Sequence, residues 1–286
     1  MRYITGSIRL VLLGLLILFI LCAALFVFPL LGWRRRGPLA RRMASWIPVV
    51  LGLRVAIRGA LPDPAARRGY RDGAPGFMVC ANHISFVDIF IIESFLPAHF
   101  VAKKEIAAWP IFGAITTAAG TIYIDRSRKR AVLEVGEAMK SAMEAGENVL
   151  FFPEGTTGPG DALLPFHANL FAAAVEAKTD VLPVTIRYTL KGETTTLASY
   201  AERPLWEVLK AILYTPGLAA EVTILPPIDA STNDRRAISS AASRDMARAL
   251  GFADATALQE AALAKLRAER LAALKAKEAN AQTPQA

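Results

Sequence analysis

Two residues of the chain, His83 and Asp88, have the types and the spacing of a base and the carboxylate that orients it. A neutral imidazole has an ordinary pKa of about 6.5 and can take a proton from an attacking hydroxyl at neutral pH. A carboxylate on the other ring nitrogen fixes the tautomer and stabilises the imidazolium that forms. The chain has three histidines, so this spacing arises by chance roughly one time in ten and needs support from its context.

The elements around this pair must bring the two side chains together. Residues 82–88 read Asn-His-Ile-Ser-Phe-Val-Asp and follow an apolar run, Phe77 to Cys80, that is typical of a buried strand. We predict that Ser85 caps the helix that follows, which places Asp88 one turn from His83. A nucleophilic Ser85 is the alternative, but no Gly-x-Ser-x-Gly elbow surrounds it.

Short apolar runs alternate with helical patterns over the middle of the chain, which is typical of an α/β fold. Strands are predicted at Phe77 to Cys80, His99 to Ala102, Thr121 to Ile124, Asn148 to Phe152, Val181 to Arg187 and Glu221 to Leu225. Helices are predicted at Phe86 to Phe95, Trp109 to Ala119, Arg130 to Ala145 and Ala168 to Ala177. We therefore expect a mixed or mostly parallel sheet flanked by helices, with functional loops at the strand ends.

The N-terminal part carries both the excess charge and one long apolar run. Residues 1–62 contain nine arginines and no Asp, Glu or Lys, so the net charge of +8 leaves the remaining residues at about −1. Because a nucleic-acid groove would need basic residues in the domain itself, we expect no nucleic-acid partner. The stretch Val11 to Gly32 has no charged residue and is long enough to cross a hydrocarbon layer of about 30 Å. It predicts a membrane-embedded helix, with a cleaved signal peptide as the alternative.

Arginines follow this run directly, at positions 34, 35, 36, 41 and 42. The positive-inside rule then places the rest of the chain on the cytoplasmic side of the membrane. A second apolar stretch, Trp46 to Ala56, is too short to span a bilayer and predicts either an interfacial helix that forms a hairpin with the first or an ordinary core helix. We predict an anchor at 1–58, a linker at 59–75, the main domain at 76–230 and a helical, partly disordered tail at 231–286.

In this context the chain resembles the glycerolipid acyltransferases, in particular the bacterial lysophosphatidic acid acyltransferases, whose first motif is NHxxxxD. Three more blocks follow in the family's order: Gly120 to Arg126, Phe152 to Thr156 and Val181 to Val184. The resemblance runs from about Phe77 to Tyr188. It implies that His83 is the general base and Asp88 its partner.

The same resemblance implies a set of binding and supporting residues. In the second block, Arg126 would bind the phosphate of the acceptor. In the third, Glu154, Gly155 and Thr156 would contribute to substrate binding, with the Glu154 carboxylate on an acceptor hydroxyl or on Arg126. Supporting positions are Asn82 and Ser85 in the first block and Pro183 in the fourth.

The third block departs from the usual bacterial pattern. That pattern continues Glu-Gly-Thr-Arg-Ser, whereas this chain continues with Thr157 and Gly158. One charge-assisted contact to phosphate is therefore missing, which is worth about 1.5–3 kcal/mol. The Glu-Gly-Thr-Thr form resembles family members that acylate lyso-ornithine lipid, which has no phosphate.

The expected reaction is transfer of a fatty acyl group from acyl-CoA or acyl carrier protein to the free hydroxyl of a lysolipid. The expected acceptor is 1-acylglycerol-3-phosphate, which would give phosphatidic acid, with lyso-ornithine lipid as the alternative. We expect no bound cofactor and, because the sequence has no His or Cys cluster at ligand spacing, no metal. Alternatives of other classes are a lipid hydrolase that uses Ser85 and a non-enzymatic membrane scaffold.

Overall fold

The computed structural model describes residues 2–62, 76–125, 127–128 and 130–262. Eight strands among these residues form one sheet. In chain order they are β1 (Arg54–Arg58), β2 (Met78–Ala81), β3 (His99–Lys103), β4 (Ile122–Ile124), β5 (Val149–Phe151), β6 (Val181–Leu190), β7 (Glu193–Thr194) and β8 (Leu218–Ile224).

The strand order across the sheet is β1-β8-β6-β2-β5-β3-β4, with β7 attached to β6. Five pairs are parallel, and β6 is antiparallel to both β8 and β7. The central strand β2 is buried along its whole length, which is why its sequence is a continuous apolar run rather than an alternating one. The prediction of a mixed, mostly parallel sheet flanked by helices is confirmed.

Helices cover both faces of the sheet. They are α1 (Arg2–Cys22), α2 (Trp33–Leu51), α3 (Val87–Glu93), α4 (Phe112–Ala118), α5 (Ala131–Glu144), α6 (Ala172–Ala177), α7 (Leu205–Tyr214) and α8 (Arg235–Leu250). One apolar cluster joins α1, α2, α3 and α7 to the face that carries Val79 and Ala81. A second cluster joins α5, α6 and α8 to the face that carries Met78 and Cys80. Successive residues of β2 thus alternate between two separate cores.

The helices α1 and α2 form an antiparallel pair. Residues further along the first helix and its extension contact residues earlier in α2. The Phe19 ring lies 6.0 Å from the Trp46 ring, and the Phe28 carbonyl accepts a hydrogen bond from the Arg36 guanidinium. Leu13 and Ile20 are buried in the core cluster, whereas most of the other large apolar side chains of α1 are exposed. Of the described residues, one helical stretch, Tyr3–Leu30, has the length and apolar composition of a membrane span.

The structure differs from the sequence prediction at the second apolar stretch and at helix α8. The stretch Trp46 to Ala56 is not one helix, because α2 ends at Leu51 with Gly52 in the left-handed region (φ 72°) and β1 then pairs in parallel with β8. The sequence prediction places residues 235–250 in a tail, yet Ile238, Met246 and other apolar residues of α8 are buried in the second core cluster. The limits at 58 and 230 therefore separate elements that pack on the same sheet, and as domain boundaries they stay predictions. Residues 63–75 of the linker and 263–286 of the tail lie outside the described part.

Candidate active site

The first motif occupies the turn between the central strand β2 and helix α3. His83 Nδ1 lies 3.0 Å from Asp88 Oδ2, with the His83 side chain 17% exposed and that of Asp88 fully buried. Because a carboxylate oxygen only accepts, His83 carries its proton on Nδ1 and leaves Nε2 as the proton acceptor. The structure thus brings the two predicted residues together in the arrangement of a base and its orienting acid.

The Asp88 carboxylate accepts several hydrogen bonds besides that of His83. Its Oδ2 accepts the backbone N–H of Ile84 at 2.6 Å and of Ser85 at 2.8 Å. Its Oδ1 accepts the hydroxyl of Tyr188 at 2.7 Å. Such donors hold a buried carboxylate in one orientation and stabilise its charge.

The Ser85 side chain does not have the capping role predicted for it. Helix α3 has Phe86 as its N-cap residue and no side-chain capping bond. Instead, the Asp88 carboxylate from inside the helix takes the N–H groups of the preceding turn. The Ser85 side chain is wholly buried, so its hydroxyl is not exposed at the surface of the site.

His83 is fixed from its ring face as well as from Nδ1. Its ring stacks on that of Phe152, with centroids 3.9 Å apart and planes 12° from parallel. Phe152 directly follows β5, the parallel neighbour of β2. The first residue of the third block therefore orients the imidazole of the first block.

Asn82 links the first motif to strand β6. Its side-chain amide donates to the carbonyl of Ile186 at 2.9 Å and accepts the N–H of Ile186 at 2.8 Å. These two bonds continue the β2–β6 pairing one residue past Ala81 with a side chain in place of the main chain. Asn82 is thus a supporting residue in this geometry.

The Glu154 carboxylate lies at the site, but its oxygens already have partners. Its Oε1 accepts the N–H of His83 at 2.8 Å and its Oε2 the N–H of Leu164 at 2.9 Å. In return, Gly158 N–H donates to the carbonyl of His83 at 2.6 Å. Burial raises the pKa of Glu154 to about 7, opposed by those two N–H donors and assisted by the charge of Asp88. The structure thus joins Glu154 to the His83 backbone rather than leaving it open to an acceptor hydroxyl.

The other predicted residues fall in different surroundings. Gly155 has φ 72°, and its N–H donates to the Phe152 carbonyl, so the turn requires glycine there. The Thr156 side chain is exposed and remains available to a ligand. Pro183 is buried inside β6 opposite Cys80 and has a structural position.

Arg126 lies outside the described residues, but its neighbours form a charged cleft. Asp125 is 3.4 Å from Lys104 Nζ and 3.5 Å from Arg128 Nε. The cleft has a volume of about 350 Å³ and is lined by these residues together with Tyr123, Glu134 and others. Hydrogen bonds from Ser127 and Lys104 lower the pKa of Asp125, which keeps a negative charge between the two cations.

Tyr188 is a site residue that the sequence did not predict. Its side chain is fully buried, and its sequence position, 100 residues from Asp88, gives no sign of the contact. The sequence offered only an indirect signal: a buried carboxylate needs hydrogen-bond donors for both of its oxygens, so a donor from another element was to be expected beside Asp88.

Residues 63–187 match the family described as Acyltransferase. The lyso-ornithine lipid O-acyltransferase of Pseudomonas aeruginosa is 31% identical over 227 residues, which cover 79% of this chain and 85% of that protein. The chain belongs to the acyltransferase family. The recognition of this family from its four sequence blocks is confirmed.

Two further acyltransferases extend the comparison. The 1-acyl-sn-glycerol-3-phosphate acyltransferase of Neisseria gonorrhoeae is 38% identical over 162 residues, or 56% of this chain, and the match spans only 64% of the relative's length. The crystal structure of the 1-acyl-sn-glycerophosphate acyltransferase from Thermotoga maritima superposes with a TM-score of 0.56 and 22% identity, covering 88% of this chain and 97% of that one. At that identity the likeness concerns the fold.

Proposed function

We propose that this acyltransferase transfers a fatty acyl group from an acyl thioester to the free hydroxyl of a lysolipid, with His83 as the general base. The observation that carries the proposal is the 3.0 Å contact of His83 Nδ1 with a fully buried Asp88 carboxylate. That contact leaves Nε2 as the basic nitrogen at a partly exposed position.

The reaction follows from this arrangement in two proton transfers. The lysolipid hydroxyl attacks the carbonyl carbon of the thioester while His83 Nε2 takes its proton. The new carbon–oxygen bond forms, the carbon–sulfur bond breaks, and the leaving thiolate takes the proton from the imidazolium. Asp88 stabilises the imidazolium between these steps. No protein nucleophile is needed, and the burial of Ser85 argues against a hydrolase that would use it.

The acceptor that we propose is 1-acylglycerol-3-phosphate, with phosphatidic acid as the product. One observation favours lyso-ornithine lipid as a second candidate, because Thr157 stands where an arginine would bind phosphate. The Neisseria relative acts on the first acceptor by its name and the Pseudomonas relative on the second. We propose acyl-CoA or acyl carrier protein as the carrier of the donor, with no bound cofactor.

We place the protein at the cytoplasmic face of a bacterial inner membrane through α1 and α2. The apolar side chains exposed along α1 support contact with lipid. The segment from Ser7 to Phe28 also contacts the domain near each of its ends. Ser7 Oγ lies 3.3 Å from Tyr214 Oη, and the Arg36 guanidinium donates both to the carbonyl of Phe28 and to that of Ala118 in α4. An anchor held near Ser7 and near Phe28 lies along the domain, which favours one leaflet over a crossing away from the domain.

Product identification tests this proposal. Purified protein in detergent receives radiolabelled acyl-CoA or acyl carrier protein with lysophosphatidate, with lyso-ornithine lipid or without acceptor, and the labelled lipids are separated. Labelled phosphatidic acid is expected, and labelled ornithine lipid alone would select the second candidate. Release of labelled free fatty acid at the same rate with and without acceptor would mean that the protein is a hydrolase. If no label leaves the thioester, neither acyl transfer nor hydrolysis is the activity of the protein.

A further inference from the structure

Tyr188 lies at the end of a hydrogen-bond chain that leads to the proposed base. The phenol is fully buried on β6, and its hydroxyl donates to Asp88 Oδ1 at 2.7 Å. Asp88 Oδ2 in turn holds His83 Nδ1. The chain Tyr188–Asp88–His83 thus links three elements, β6, α3 and the turn after β2.

The backbone of β6 fixes where the phenol points. The amide of Asn82 bonds both main-chain groups of Ile186, two residues before Tyr188 and on the same face of the strand. Tyr188 itself is paired with Ala220 of β8, and its carbonyl accepts the N–H of Thr195. The hydroxyl therefore has little freedom to leave Asp88.

The two carboxylate oxygens of Asp88 accept different numbers of hydrogen bonds. Oδ2 receives His83 and two backbone N–H groups, whereas Tyr188 is the donor that the described residues provide to Oδ1. Without the hydroxyl, Oδ1 would be a buried charged atom lacking that bond, which is costly. The carboxylate would then keep its contact with His83 but lose one of the bonds that fix its orientation.

We propose that Tyr188 is a positioning residue of the general base, whose hydroxyl holds the Asp88 carboxylate so that Oδ2 faces His83. The inference rests on the proposed function for its effect on catalysis, but the geometry of the three side chains is independent of the substrate. Tyr188 acts through Asp88 and touches no reacting atom.

The phenol stays a donor throughout the working pH range. Burial and the adjacent Asp88 charge raise the pKa of Tyr188 well above its ordinary value, while the nearby Ser85 hydroxyl opposes the shift. The ionisable groups that face this chain are Asp88, His83 and Glu154, whose carboxylate holds the His83 N–H. Because these groups also influence His83, the effect of a substitution at Tyr188 is measured as the change in the His83 titration midpoint relative to the wild-type protein.

Removing the Tyr188 hydroxyl should change the titration midpoint of His83 in a predictable direction. The Tyr188 bond draws negative charge from the carboxylate, so its loss leaves Asp88 a stronger acceptor that holds the imidazolium proton more tightly. His83 in the variant then becomes neutral at a higher pH than in the wild-type protein. Because the carboxylate is also less well oriented, kcat falls about ten- to hundredfold while the KM values of both substrates stay unchanged.

The test compares Tyr188→Phe with Tyr214→Phe, which removes a phenol hydroxyl on α7 far from the motif in sequence and bonded to Ser7. His83 is titrated by its rate of diethyl pyrocarbonate modification against pH, read by mass spectrometry, in folded protein selected by circular dichroism. The midpoint is expected to rise in Tyr188→Phe and to stay in place in Tyr214→Phe. Should Tyr188→Phe not fold, Tyr188→3-fluorotyrosine keeps the hydroxyl as a stronger donor, and the midpoint is expected to fall.

Kinetics then separate positioning from a merely structural role. The acid side of the kcat/KM profile should move to higher pH together with the His83 midpoint, with kcat reduced at the plateau. An unchanged midpoint in folded variants, or a raised KM at full kcat, would overturn the proposal. A shifted midpoint in a protein whose wild type transfers no acyl group would keep the Tyr188 link and reject the proposed function.

Discussion

Replacing Glu154 by glutamine tests the electrostatics of the site in a way that does not depend on the substrate. Burial raises the pKa of Glu154 from 4.5 to about 7, so the folded protein keeps this proton up to about pH 7, whereas the unfolded chain loses it near 4.5. The stability linked to this proton is fully present below pH 4.5 and is lost as the pH rises to 7. A shift of about 2.5 units corresponds to about 3 kcal/mol.

Glutamine does not ionise, so Glu154→Gln lacks this pH-dependent loss. The melting temperature of the variant relative to wild type should therefore rise between pH 4.5 and pH 8, by on the order of 10 °C. Burial also raises the pKa of Glu93, but Glu93 is present in both proteins and its effect cancels.

The assay is thermal unfolding followed by circular dichroism, in one detergent, at half-unit steps over this pH range. Glu137→Gln, at an exposed position of α5, is the matched control and should follow the wild type at every pH. A difference between Glu154→Gln and wild type that stays constant with pH, or that shrinks as the pH rises, would mean that the pKa of Glu154 is not raised in the folded protein.

Three further substitutions probe the first motif. Asp88→Asn removes the charge beside His83 and should lower kcat by about 10²- to 10⁴-fold in steady-state transfer assays with little change in KM; a loss below threefold would argue against the pair. Asn82→Ala removes two buried bonds to Ile186 and should lower stability by about 2 kcal/mol in chemical unfolding, whereas an unchanged midpoint would mean that β6 is held without them. Ser85→Ala removes a buried hydroxyl and should retain transfer without any acyl-protein adduct by mass spectrometry; a wild-type adduct that disappears in Ser85→Ala would establish a covalent route.

The sequence predicted those parts of the fold that rest on local patterns. The core strands β2 and β5 are short, wholly apolar runs, and α5 has a clear helical period, so these elements lie close to their predicted positions. The edge strand β1 was missed because Arg54 and Arg58 flank a weakly apolar run. Its identity as a strand depends on pairing with β8, 165 residues away at Arg54 and Ala219.

In the candidate site, too, the sequence predicted the local contacts and missed those that depend on the pairing of distant strands or on backbone groups. The spacing of His83 and Asp88 spans one turn, so the sequence alone indicated that the side chains meet. The role of Glu154 was not readable, because its partners are the backbone N–H groups of His83 and Leu164 and backbone groups leave no trace in a motif. Tyr188 was missed because its contact with Asp88 follows from the pairing of β2 with β6.

In the proposed mechanism, the His83 imidazole takes the proton of the acceptor hydroxyl. The most direct measurement is the single-turnover rate of acyl transfer from radiolabelled acyl thioester to lysolipid by His83→Ala, beside His167→Ala as an exposed histidine control. If His83 is the general base, His83→Ala loses at least about a hundredfold in rate, the lower bound of general-base contributions, while His167→Ala keeps the wild-type rate. Transfer by folded His83→Ala at the wild-type rate would contradict it.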